Sequence, residues 1–139
     1  MNVLIKAYID AATKGNPGPS GAGILLVAEN LHEQIPLPLT GTMSNHQAEF
    51  WAFYELLMYL KRHNYTSETI FVYSDSKILV QTVDKNYTNN ENFQEIFQKI
   101  QALLPNFTLL ILQWLPENKN KGADQLARQG LQKALQKKS

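Results

Sequence analysis

Two apolar runs that favour extended chain, 3–9 ("VLIKAYI") and 21–28 ("GAGILLVA"), flank the turn-forming tract "KGNPGPSG". Gly, Asn and Pro in that density end one strand and reverse the chain into the next. A third run at 31–39 closes an antiparallel meander. From Asn45 to about His63 the apolar period lengthens from two to that of a helix, with Ala52, Phe53, Leu56, Leu57 and Leu60 on one stripe. "TIFVYS" at 69–74 is a short buried strand, and a helix begins in "SKILVQTV" after Asp75. A second helix at about 91–104, a fifth strand at 107–114 ("FTLLILQW") and a C-terminal helix at 120–137 complete the chain. Three strands followed by alternating helix and strand predict an α/β sheet with an antiparallel first half and parallel additions.

At 139 residues and 44% hydrophobic, residues 1–139 are expected to form one domain with a real core. No apolar run is long enough to span a bilayer and no secretory leader is visible, so a cytoplasmic, monomeric protein without membrane attachment is expected. The absence of cysteine removes disulfides, thiolate metal sites and cysteine nucleophiles together. A net charge of +1 does not veto a nucleic-acid partner, because six basic residues gather from Lys119 to Ser139 against Asp124 alone.

Four carboxylates stand where chemistry could use them. Asp10 follows the first strand, a position that an ordinary turn aspartate also fills. Glu49 shares the apolar stripe of its helix. Its first-turn position is worth only about 0.3–1 kcal/mol through the helix dipole, which does not explain why it points inward. Asp75 ends a strand where a helix begins; Ser74, Asp75 or Ser76 could supply the helix cap there. Asp124 repeats the Glu49 pattern near the start of the last helix, on a face with Asn120, Ala127, Leu131, Ala134 and Leu135. Were all four to converge, their repulsion would require cations, and an oxygen-only set favours Mg²⁺ or Mn²⁺ over zinc. Two such ions about 3.5–4 Å apart can activate water and stabilise a departing phosphodiester oxygen.

The segments "YIDAATKGNPGPSGAG", "SNHQAEF", "YSDS" and "WLPENKNKGADQLA" resemble, in order and spacing, the type 1 ribonuclease H family over about residues 2–135. The resemblance implies a ribonuclease H-like five-stranded mixed sheet, three antiparallel strands plus two parallel, flanked by helices. It implies two-metal-ion cutting of the RNA strand of an RNA–DNA hybrid duplex, leaving 3′-hydroxyl and 5′-phosphate ends. The metal-binding, catalytic acids of that family fall on Asp10, Glu49, Asp75 and Asp124. Its hybrid-contacting segments fall on Gly15, Asn16, Ser44, Asn45, His46 and Gln47. Backbone groups and short amides suit that task because a 2′-hydroxyl both donates and accepts hydrogen bonds.

The chain departs from the family in three places. Ala11 replaces the usual glycine after the first acid, where a methyl group would crowd a metal. "PENKNKG" lacks the family's mobile histidine, leaving Glu117, Lys119 or Lys121 to assist product release or contact a phosphate. "VDKNYTNNENFQEI" replaces a basic, tryptophan-rich handle, which implies weaker hybrid binding. An alternative therefore stands beside the nuclease: a hybrid-binding protein that keeps the carboxylates with little or no turnover. Trp51 is expected to pack against its surroundings and Trp114 to be core.

Overall fold

The computed structural model describes residues 3–137; Lys138 of the basic C-terminal group lies outside them. Three strands come first: β1 (Leu4–Thr13), β2 (Gly18–Ala28) and β3 (Leu31–Met43). Then follow α1 (Asn45–Arg62), β4 (Thr69–Ser74), α2 (Lys77–Lys85), α3 (Glu91–Leu103), β5 (Leu109–Trp114) and α4 (Lys121–Gln136). Single 3₁₀ turns occupy Leu104–Asn106 and Glu117–Lys119. The sheet has five strands in the order β3-β2-β1-β4-β5. β1, β2 and β3 pair antiparallel, while β4 joins β1 and β5 joins β4 in parallel. This is the mixed sheet that the chain's change of period predicts.

The first strand is longer than expected. It does not end at Asp10 but continues to Thr13, because β2 extends back to Gly18 and pairs Asp10 with Gly23 and Thr13 with Ser20. Pairing with β4 stops earlier, at Ile9 and Ser74. Asp10 thus stands one residue beyond the last parallel rung, where the sheet opens on its β4 side.

α1 starts at a complete capping box: Ser44 Oγ accepts from the Gln47 amide at 3.1 Å, and Gln47 Oε1 accepts from the Ser44 amide at 2.8 Å. That box is worth about 1 kcal/mol. Burial decides the orientation of the helix. Phe50, Phe53, Leu56, Leu57 and Leu60 are fully buried against Ile5, Ile9, Ile24 and Leu26, at roughly 1.5–3 kcal/mol for each large side chain. The summed term exceeds the cost of carrying one acid inward, so Glu49 is taken into the interior by its neighbours.

α4 lies on the other face of the sheet, against alternate positions of β2. A Cβ at Gly21 would overlap the Gly130–Leu131 backbone, and one at Gly23 would overlap Ala123 O and Ala127 N. Gly23→Val is therefore expected to push α4 off the sheet and destabilise the fold by about 3 kcal/mol. Chemical denaturation of the variant measures this, and an unchanged midpoint would contradict the close packing. α4 covers β1, β2 and β3 but leaves open the face of β5 that carries Leu109 and Ile111, which are 45% and 41% exposed. The expectation that Trp114 is core is corrected: it is on the other face of β5, with Leu110 and Leu112, but at the strand's end, where its ring meets the start of α2 and stays 44% exposed. Trp51 does pack, edge-on to Tyr54 at 5.4 Å.

Candidate active site

Three chain segments deliver acids to one place. β1 carries Asp10 past its last rung with β4, the first turn of α1 carries Glu49, and Asp75 follows the last residue of β4. One carboxylate oxygen of each lies within 4.8 Å of those of the other two. Asp10 is 5% exposed. Of the residues that could cap α2, Ser76 does so, its Oγ accepting from the Leu79 amide at 3.2 Å. The Asp75 carboxylate is therefore not consumed by the helix start.

Asp124 differs from the other three. It flanks the buried stripe of α4 formed by Ala123, Leu126, Ala127, Gly130 and Ala134, and its side chain is 34% exposed. Its Oδ2 meets Arg128 Nε at 3.2 Å, one helical turn on. It is half-buried, as Glu49 and Asp75 are. It stands outside the three-acid group, although its charge still acts on Asp10 and Asp75.

Electrostatics mark the three as a stressed set. Burial, then the Asp75 charge, pushes Asp10 up to about 7, against the smaller opposing pull of the Ala11 backbone amide. Burial and then Asp10 push Glu49 well above the carboxylate range. The hydrogen bond between the two raises Glu49 and lowers Asp10. Burial also raises Asp75, opposed by a hydrogen bond from Asn120. Among the described residues, no lysine or arginine forms an ion pair with any of the three. Glu49 Oε2 is buried with no hydrogen-bond partner.

An all-oxygen set, mutually repelling and holding an orphaned carboxylate oxygen, fits a hard divalent cation. Asp10, Glu49 and Asp75 are the residues that would hold it. Ala11, expected to crowd a metal, packs its side chain against the apolar cluster of Ala22, Leu39, Met43, Ala48 and Ala52.

The residues expected to contact a hybrid divide into two kinds. Ser44 and Gln47 are occupied by the capping box, and Gln47 Nε2 also donates to Asn92 O at 3.1 Å. Asn45 and His46 are exposed and line a cavity of about 570 Å³ together with Glu49 and Asp75. Gly15 has a φ of +85°, and the neighbouring Asn16 Oδ1 accepts from the Asn45 amide at 3.1 Å. The β1–β2 turn is thereby tied to the start of α1. Lys121 shares a cavity with Asp124 and Glu117, whereas Lys119 lines a different one beside Tyr8 and Leu25.

Asn120 is the residue that sequence reasoning missed. It is 1% exposed, and its Nδ2 donates to Ile9 O at 2.8 Å and to Asp75 Oδ2 at 3.4 Å. Although it stands at the N-cap of α4, its side chain makes no capping bond. One amide therefore links the backbone before Asp10, the Asp75 carboxylate and the helix that carries Asp124. Its Oδ1 is buried without a partner. The available signal was a polar amide on an otherwise apolar stripe, one turn before Asp124.

Comparison with known proteins gives a consistent set of likenesses. The family model described as reverse transcriptase-like matches residues 8–130. EbsB of Enterococcus faecalis, a hydrolase by provisional name, is 48% identical over 130 residues, spanning 94% of this chain and 96% of that protein. A ribonuclease H of Rickettsia akari is 32% identical over 98% of this chain and 96% of its own length. LC11-RNase H1, isolated from compost by a metagenomic approach, was crystallised with an RNA/DNA hybrid. It superposes with a TM-score of 0.83 at 26% identity, over 94% of this chain and 99% of that one.

Proposed function

The chain belongs to the type 1 ribonuclease H family, and from that premise we propose that it is a metal-dependent endonuclease cutting the RNA strand of RNA–DNA hybrids. The observation that carries this reading is the meeting of Asp10, Glu49 and Asp75, with oxygens within 4.8 Å of one another, beside a cleft bordered by Asn45 and His46. Relatives named ribonuclease H and the hybrid-bound LC11-RNase H1 support the substrate class.

Asp10, Glu49 and Asp75 would hold divalent metal, Mg²⁺ with Mn²⁺ as a substitute, and two ions would make up the working complement. Asp124 completes the set from α4. Bound there, the metal supplies activation of the attacking water and stabilisation of the departing 3′-oxygen. The protein contributes position. Asn120 Nδ2 orients Asp75 Oδ2, and the Ala11 amide favours the ionised forms of Asp10 and Glu49. The bond between Asn16 and Asn45 fixes the two segments that face the hybrid, where exposed amides and backbone groups engage 2′-hydroxyls. Lys121 shares a cavity with Asp124 and is the candidate cation for phosphate contact or product release. Lys119 is the other candidate.

A second reading, a hybrid-binding protein with little turnover, is favoured by one observation: Asp124 is engaged by Arg128. One assay separates them. Labelled RNA–DNA hybrid, duplex DNA and duplex RNA are incubated with Mg²⁺ or Mn²⁺. Cleavage confined to the RNA of the hybrid, giving 3′-hydroxyl and 5′-phosphate ends, is expected. Hybrid binding without cleavage in either metal would favour the second reading, and cutting of duplex DNA would overturn both.

A further inference from the structure

One cation, Lys77, and one indole, Trp114, meet beside the same cleft. Lys77 opens α2, two residues after Asp75, and is exposed. It lines the cavity of about 570 Å³ with Asn45, Glu49 and Asp75, and is the only lysine or arginine among the residues that do so. Its placement runs against local preference. The first turn of a helix carries partial positive charge and disfavours a cation, and α2 has no acid in that turn to offset it. Nor does an ion pair account for it: among the described residues Lys77 forms none.

Trp114 is what holds it. Lys77 Nζ lies over the indole, 5.1 Å from the ring centroid, where the electron-rich face attracts a cation. The indole is itself tethered, its Nε1–H donating to Asp75 O at 3.2 Å. Asp75 thus places its carboxylate in the acid cluster while its backbone carbonyl holds the ring on which Lys77 rests. A lysine stem is flexible and loses much rotamer freedom when immobilised. Here the ring confines it in the free protein, at an offset from the acids that the Asp75 backbone sets. The exposure of Trp114, 44%, has a use under this arrangement that edge-strand packing alone does not provide.

We propose that Lys77 binds a backbone phosphate of the nucleic-acid strand lying in this cleft, and that Trp114 is the positioning residue that holds its ammonium at a set distance from Asp10, Glu49 and Asp75. The inference rests on the ribonuclease H reading of the site. A compact ammonium suits this role, because phosphate contacts orient a duplex without reading its sequence. It also answers the electrostatic difficulty of a cleft whose other charged walls are acidic.

The test uses the full chain and one RNA–DNA hybrid of fixed sequence. Binding is followed by fluorescence anisotropy with Ca²⁺ in place of Mg²⁺, and cleavage is followed in Mg²⁺, each from about 50 to about 200 mM KCl. Lys77→Gln is expected to reduce the slope of log affinity against log salt by about 0.7–0.9, the loss of one phosphate contact. KM should rise roughly threefold to tenfold while kcat stays within about twofold. Trp114→Leu should raise KM in the same direction, with Lys77→Arg and Trp114→Phe recovering most of the affinity. A Lys77→Gln protein with the parent's salt slope overturns the inference, as does a fall in kcat at unchanged KM. If Trp114→Leu lowers only the unfolding midpoint, with parental KM, the positioning role is overturned. A parent protein that binds but does not cut the hybrid is still decided by the anisotropy arm. A parent that does not bind the hybrid removes the ribonuclease reading itself.

Discussion

Asp10→Asn is expected to lower metal-dependent cleavage of an RNA–DNA hybrid by roughly 10³-fold or more while leaving the fold intact. Asparagine keeps the size of the side chain and removes the charge that a hard cation requires. The backbone around it is set by pairing from Asp10–Gly23 to Thr13–Ser20, which does not depend on that charge. Burial and repulsion from Asp75 oppose ionisation of Asp10 in the metal-free protein, so the variant should also melt at a higher temperature at pH 8 without metal. Activity loss with raised stability is the signature of a residue whose charge serves chemistry at the expense of the fold. Steady-state cleavage and thermal unfolding of the same preparation measure both. Parental turnover in the variant would remove Asp10 from the mechanism.

The second large effect is a pH dependence opposite to that of a salt-bridged carboxylate. The folded-state value of Asp10, about 7, lies above its ordinary 3.8. Unfolded chains therefore give up that proton at lower pH than folded ones. The stability associated with it is complete below about pH 4 and is lost as pH rises through about 7. Glu49, raised for the same reasons, acts in the same direction. Between pH 5 and pH 8 the metal-free protein should lose about 3 kcal/mol, a fall in Tm on the order of 10 °C. Mg²⁺ added at pH 8 should recover most of it, because a cation that binds only the folded cluster stabilises it by linkage. Scanning calorimetry at the two pH values, with EDTA or with Mg²⁺, gives the result directly. A metal-free protein equally stable at both would mean that the three acids are less desolvated than their burial implies.

How much was legible beforehand varied with the range of the interaction. The "TIFVYS" strand occupies Thr69–Ser74 as expected, and the Asn45–His63 helix occupies Asn45–Arg62 with His63 as its C-cap. Both rest on local periodicity, which reports one-sided burial within a single element. Glu49 was legible for the same reason: an acid on an apolar stripe is anomalous without reference to any other segment. Asp124 follows the same pattern and is half-buried as well, but it lies outside the three-acid group and meets Arg128 one turn later. Trp114 ends an apolar run, yet it stands at the tip of an edge strand, past Leu110 and Leu112, which pack against the core, so its ring stays 44% exposed.

The amino-acid order by itself determined the kinds and sequence of elements, the mixed sheet and the segments that carry acids, since these follow from residue spacing along one strand or helix. Tertiary structure alone decided which oxygens meet. The bond from Asn120 to Asp75 joins residues 45 apart, and that from Trp114 to Asp75 joins residues 39 apart. Such meetings depend on strand register and on how closely α4 approaches Gly21 and Gly23. Those are properties of packed surfaces, in which a shift of one residue along a strand would turn a carboxylate to the other face.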